Sequence, residues 1–100
     1  MIRHVVLFKL KEGFGPEHGK RLADALTALK GSTGGLMVEC ETGLDVVRGG
    51  NSYDLALNTV FRSVGDLEKY RVHPEHKKVL ELIGELCSTR CAVDYEIKAG

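Results

Sequence analysis

The stretch IRHVVLFKL, from Ile2 to Leu10, decides the fold of this chain. Its side chains alternate between two faces: Ile2, His4, Val6, Phe8 and Leu10 on one, and Arg3, Val5, Leu7 and Lys9 on the other. A period of two with frequent β-branched residues predicts a β-strand. Because both faces carry apolar residues, we expect helices to cover one face and a second sheet to cover the other.

Outward from this strand, the chain alternates between helical and extended patterns. Pro16 suits a first helical turn, and Pro74 begins another helix because proline disfavours helical geometry at the residue before it. Ser63 to Asp66 has the form of a helix cap. The Gly- and Asn-rich segment 48–52 is typical of a turn between two strands, and a continuation of the first strand through Val46 and Val47, after a bend at Gly43, is an open alternative. The predicted helices span residues 16–30, 63–71 and 74–87, and the predicted strands 2–10, 36–42, 54–61 and 90–98.

This element order predicts an α+β fold, the ferredoxin-like βαββαβ sandwich. Its four-stranded antiparallel sheet has the strand order 4-1-3-2, with the helices on one face. A chain of 100 residues is one domain, 1–100. Since the second sheet face stays bare and apolar, we expect a homodimer.

Composition limits the function classes. The chain has 14 Lys plus Arg and 14 Asp plus Glu, so no basic field attracts nucleic acid. The apolar run from Val5 to Phe8 is too short for a signal peptide or a membrane span, which predicts a soluble cytoplasmic protein that does not bind membranes.

Motifs for cofactors and metals are not found in the sequence. The three cysteines include no C-x-x-C pair, and the segment Gly13-Phe14-Gly15 lacks the third glycine of a dinucleotide site. We expect no cofactor and no metal.

Two segments carry a resemblance to a known family: Arg3 to Lys9, and Tyr70-Arg71-Val72-His73-Pro74-Glu75-His76. Together they are similar to the stress-responsive A/B barrel domain (Dabb) family. The resemblance extends over nearly the whole chain, with Gly43-x-Asp45 and Val93-Asp94-Tyr95 in matching places. It implies a dimeric α+β barrel, in which two sheets face each other and helices lie outside. Most members have no assigned activity.

Some plant members of that family are polyketide cyclases, which close a linear poly-β-keto chain by an intramolecular aldol step. The resemblance implies that the matching active-site group here is His4, Tyr70, His76 and Asp94. The helical motif departs from those enzymes in its charge, contributed by Arg71, Glu75, Lys77 and Lys78.

An aldol closure needs a base next to a carbonyl and donors for the charge that develops on oxygen. We expect His76 to be the base, with its ring oriented by Asp94, and Tyr70 or His4 to be the donor. Strands one and four are neighbours in the predicted sheet, which brings His4 near Asp94. A small, largely apolar carbonyl compound would bind between helices and sheet, beside His73, Val6, Phe8, Val79 and Ile83.

The same residues also admit purely structural roles, which would make the protein a stability or assembly module. His73 is then a helix cap, His76 a first-turn histidine, and Tyr70 a core aromatic. His4 is a core residue hydrogen-bonded to Asp94. A metal site built from His73 and His76 with Glu75 or Asp94 is a further alternative. Haem-handling enzymes and cofactor-free oxygenases use related barrels, but their residue signatures are not found in the sequence.

Overall fold

The computed structural model describes residues 1–98, which form one antiparallel sheet covered on one side by helices. The strand order is β2-β3-β1-β4, the predicted 4-1-3-2 order counted from the opposite edge. The elements are β1 (Ile2–Leu10), α1 (Pro16–Ser32), β2 (Met37–Leu44), β3 (Leu55–Phe61), α2 (Val64–Arg71), α3 (Pro74–Leu86) and β4 (Cys87–Glu96).

Local signals set most of these boundaries. The Ser63 side chain accepts a hydrogen bond of 3.1 Å from the amide of Asp66, which caps α2. Pro16 and Pro74 each occupy the first turn of a helix. Gly34 and Gly35 both have positive φ, a conformation that glycine adopts without strain, in the turn that follows α1.

Two predicted strands were wrong at their ends. β4 begins at Cys87, directly after α3, rather than at Arg90, and it ends at Glu96 rather than Lys98. β4 begins this early because Leu10, at the end of β1, pairs with Cys87 after a bulge. β2 stops at Leu44, because the chain turns back where the Asp45 amide donates to the Asp54 carbonyl at 2.9 Å. The pair Val46 and Val47 therefore lies in an exposed turn.

The core lies between the sheet and the helices. One face of β1 and β3 meets the leucine stripe of α1 and the buried side of α3, as the periodicities predict. The buried side chains include Val6, Phe8, Leu22, Leu26, Leu29, Leu55, Leu57, Phe61, Tyr70, Ile83 and Leu86.

The opposite side of the sheet, which we call the outer face, is not covered by any element formed by residues 1–98. Its strands pair Val5 with Val93 and Leu7 with Cys91. Leu7, Val93 and Tyr95 are 36%, 55% and 46% exposed. An apolar surface of this kind is typical of an interface with another chain. Among residues 1–98, no helix has the length and apolar character required to cross a membrane.

Candidate functional site

A cavity of about 400 Å³ lies between the helices and the sheet, beside β4. All three helices and three of the four strands contribute to it, and apolar side chains form most of its surface. The lining residues are His4, Val6, Phe8, Leu26, Leu57, Tyr70, Arg71, His76, Leu80, Ile83, Arg90, Cys91 and Ala92. On β4, Ala92 lies opposite Val6 of β1, and its short side chain leaves room that a larger residue would fill. We call this space the helix–sheet cavity.

His4 and Asp94 are directly opposite each other in the register of β1 and β4. Their side chains are hydrogen-bonded, His4 through Nδ1 and Asp94 through Oδ1. Because an ionised carboxylate only accepts hydrogen bonds, Nδ1 of His4 carries the proton of this contact. In neutral His4 the other ring nitrogen, Nε2, is then the acceptor, as in a carboxylate-oriented histidine base.

Arg71, the last residue of α2, joins this pair to the helices. Its guanidinium donates to the second oxygen of Asp94 at 3.0 Å and lies 3.7 Å from Glu68. Its backbone carbonyl accepts a hydrogen bond of 3.1 Å from Nδ1 of His76. One residue therefore contacts both Asp94 and His76.

The break between α2 and α3 makes that carbonyl available. In a continuous helix, the carbonyl of Arg71 would accept from the amide of Glu75. That amide instead donates to Nδ1 of His73, which caps α3 at 3.1 Å. The Arg71 carbonyl is left for His76, whose Nδ1 must be protonated to donate to it, and Nε2 of neutral His76 is unprotonated.

Tyr70 lies at the centre of an aromatic group that includes both histidines. Its ring centroid is 4.4 Å from that of His76, 6.5 Å from that of His4 and 5.0 Å from that of Phe61. The residue is 1% exposed. Its buried hydroxyl has no hydrogen-bond partner among the described residues, a state that costs free energy.

Burial shifts the pKa of both His76 and Tyr70 in the direction that favours the neutral side chain. For His76, burial lowers the pKa, the hydrogen bond to the Arg71 carbonyl raises it, and the nearby charges of His4, Arg90 and Arg71 lower it further. Burial raises the pKa of Tyr70 above its ordinary value, with a smaller contribution from Cys40. Near pH 7, His76 is suited to accept a proton and Tyr70 to donate a hydrogen bond.

Most of the residues selected from the sequence lie around the helix–sheet cavity. Asp94 does not line the cavity but is hydrogen-bonded to His4, which does, and His73 serves as the cap of α3. Val79 is buried in the core and does not line the cavity. The lining does include six of the selected residues: His4, Val6, Phe8, Tyr70, His76 and Ile83.

One predicted contact was wrong. Asp94 does not orient His76; it pairs with His4 because the two share a register position, and the Arg71 carbonyl orients His76. Sequence reasoning also missed Arg90 as a lining residue. Alternation along β4 contains the signal, because Arg90, Ala92 and Asp94 fall on one face.

The metal alternative has no geometric support in the described part of the chain. Residues 1–98 contain no group of three or more His, Cys, Asp or Glu side chains close enough to hold an ion. His73 and His76 each have a backbone partner instead.

Comparison with known proteins agrees with this architecture. The family model of the stress-responsive A/B barrel domain, Dabb, matches residues 2–97. The chain belongs to the Dabb family. An uncharacterized protein of Streptomyces coelicolor is 35% identical to this chain over 98 residues. The alignment covers 96% of this chain and 99% of that protein.

Solved structures share the fold. A dimeric protein of unknown function with a ferredoxin-like fold, from Bacteroides fragilis, has a TM-score of 0.81 and 29% identity, over 96% of this chain and 95% of that one. The hydroxynitrile lyase of Passiflora edulis has a TM-score of 0.83 at 17% identity, over 99% and 94% of the two chains. At that identity the second likeness concerns the fold alone.

Proposed function

We propose that this Dabb protein binds a small, largely apolar carbonyl compound in the helix–sheet cavity. The observation that carries the proposal is the buried Tyr70 hydroxyl, which has no partner among residues 1–98, in a residue that lines a cavity of about 400 Å³. A ligand oxygen that displaces the side chains packed over this hydroxyl would supply the missing acceptor. Cavities of roughly 300 to 1,000 Å³ with apolar linings and a few polar groups are typical of small-molecule sites.

The ligand test uses 4-phenylbutan-2-one, a small ketone with an apolar tail, in isothermal titration calorimetry. We expect saturable binding, weakened about three- to tenfold in Tyr70→Phe, because one hydrogen bond contributes about 0.5 to 1.5 kcal/mol. Tyr95→Phe is the matched control, since Tyr95 lies on the outer face. An absence of binding, or equal affinity in Tyr70→Phe, would contradict the proposal.

We also infer that the chain forms a homodimer through its outer face. The support is the exposed apolar surface of Leu7, Val93 and Tyr95, and the dimeric state stated for the Bacteroides protein. Burying this surface against a second copy leaves the helix–sheet cavity on the opposite side of the sheet, so each protomer would keep its own site.

A second candidate function is that of a cofactor-free lyase or cyclase catalysing aldol chemistry. The tautomer of His76 favours it, because the unprotonated Nε2 of a half-buried neutral histidine can act as a general base. The Passiflora protein, a lyase, provides an analogy at the level of the fold. His4, paired with Asp94, is the alternative base.

The aldol step is balanced without a cofactor. Nε2 of His76 takes a proton from the carbon next to one carbonyl, and Tyr70 donates a hydrogen bond to the enolate oxygen. The enolate carbon attacks a second carbonyl of the same molecule, so that one C–C bond forms. The new alkoxide then takes a proton from the imidazolium, which restores neutral His76.

Heptane-2,6-dione tests this chemistry, because its closure gives a cyclic ketol that nuclear magnetic resonance detects. We expect turnover that falls by about a hundredfold or more in His76→Gln, the usual contribution of a positioned base. His18→Gln is the control, because His18 lies on α1 and glutamine suits its capping position. Closure at the buffer rate would refute the lyase function and leave ligand binding intact.

A further inference from the structure

The helix–sheet cavity has a one-sided charge. The whole chain carries 14 basic and 14 acidic side chains, yet the lining contains two arginines, Arg71 and Arg90. Within the described residues, none of the lining side chains is an aspartate or a glutamate. A cavity lined by one sign of charge attracts ligands of the opposite sign.

The two arginines are not equivalent. Arg71 is bound to Asp94 at 3.0 Å and lies near Glu68, so carboxylates of the protein already offset its charge. Arg90 has no carboxylate within salt-bridge distance among residues 1–98. Arg90 is therefore the lining cation that is still able to pair with an anion.

Strand register places Arg90 on the helix side of the sheet. It pairs with Phe8, whose side chain is buried under the helices, and it alternates with Thr89 and Cys91. A dimer formed through the outer face would leave Arg90 accessible. Because Arg90 is exposed and also lines the cavity, it lies where the cavity meets solvent.

We propose that Arg90 binds a carboxylate of the ligand, which makes the preferred ligand class an oxo acid with an apolar chain rather than a neutral ketone. The inference rests on the proposed function, since it concerns the same cavity. A guanidinium matches a carboxylate through two parallel hydrogen bonds. The carboxylate is held at the solvent end by Arg90, while the ketone oxygen and the apolar chain occupy the interior with Tyr70 and His76.

A matched pair of probes separates the two ideas. In 4-phenyl-2-oxobutanoate a carboxylate replaces the methyl group of 4-phenylbutan-2-one, while the ketone and the apolar tail are the same. We expect calorimetry to show roughly five- to tenfold tighter binding of the oxo acid, a modest gain because solvent screens an exposed arginine. The preference should shrink as salt is added.

Two variants locate the contact. Arg90→Gln keeps a polar side chain on an exposed strand position and should abolish the preference for the oxo acid over the ketone. Arg21→Gln removes the same charge from an exposed site of α1 outside the lining, and the preference should persist.

The outcomes are distinct. Equal affinity of the two probes for the unaltered protein overturns the carboxylate inference while the proposed function stands. A preference that survives in Arg90→Gln overturns the role of Arg90. Failure of both probes to bind refutes the proposed function, and this inference with it.

Discussion

Replacing Tyr70 with phenylalanine should stabilise the ligand-free protein. The ring is 1% exposed and packs against Phe61, His4 and His76, and phenylalanine preserves all of those ring contacts. Only the hydroxyl is lost, and that group is buried without a partner among residues 1–98. An unsatisfied buried hydroxyl costs about 1 to 3 kcal/mol. We expect the free energy of unfolding to rise by about 1 kcal/mol.

Thermal unfolding provides the assay. For a domain of this size, about 1 kcal/mol corresponds to a rise in Tm of roughly 4 to 8 °C. Protein concentration must be held constant, because dimer formation makes Tm concentration-dependent. Tyr95→Phe removes a hydroxyl from the outer face instead of the core and keeps the ring that the dimer interface would bury, so it should leave Tm within about 2 °C of the unaltered value.

The loss of stability at alkaline pH provides a second test of Tyr70→Phe. Burial holds the pKa of folded Tyr70 above its value in the unfolded chain. The folded state therefore keeps its proton longer, and stability is lost as pH rises above about 10. Tyr70→Phe should lose less stability over that range. A Tm below that of the unaltered protein would refute the reasoning, because it would show that the hydroxyl has a favourable partner.

Three further predictions concern the cavity and the outer face. Burial lowers the pKa of folded His76, so the unfolded chain binds a proton on this side chain more readily and the free energy of unfolding falls as pH drops from about 7 to 5. Urea unfolding should show a smaller loss in His76→Gln, and an equal loss would contradict the pKa shift. Ala92→Leu should fill part of the helix–sheet cavity opposite Val6 and weaken binding of 4-phenylbutan-2-one about tenfold or more. Unchanged affinity in calorimetry would show that the ligand binds elsewhere. Val93→Asp puts a charge on the outer face and should shift the monomer–dimer equilibrium, measured by sedimentation, toward the monomer, whereas Val46→Asp, in an exposed turn, should not. If the unaltered protein sediments as a monomer, the proposed interface is refuted.

Local patterns were sufficient for the element order. Alternation in β1, the cap at Ser63, Pro74 in the first turn of α3 and the leucine stripe of α1 predict the strands and helices, because each is a property of neighbouring residues. The family resemblance is confirmed by the match over residues 2–97. The start of β4 was missed because an edge strand tolerates polar residues that otherwise indicate a loop.

The sequence by itself determined which elements form and which faces of β1 are apolar, since periodicity and capping act over a few residues. Only the tertiary structure decided the site. The pairing of His4 with Asp94 depends on the register of two strands that are distant in the chain. The tautomer of His76 depends on a carbonyl that the cap at His73 leaves available, and Arg90 enters the site only because β4 follows one edge of the helix–sheet cavity.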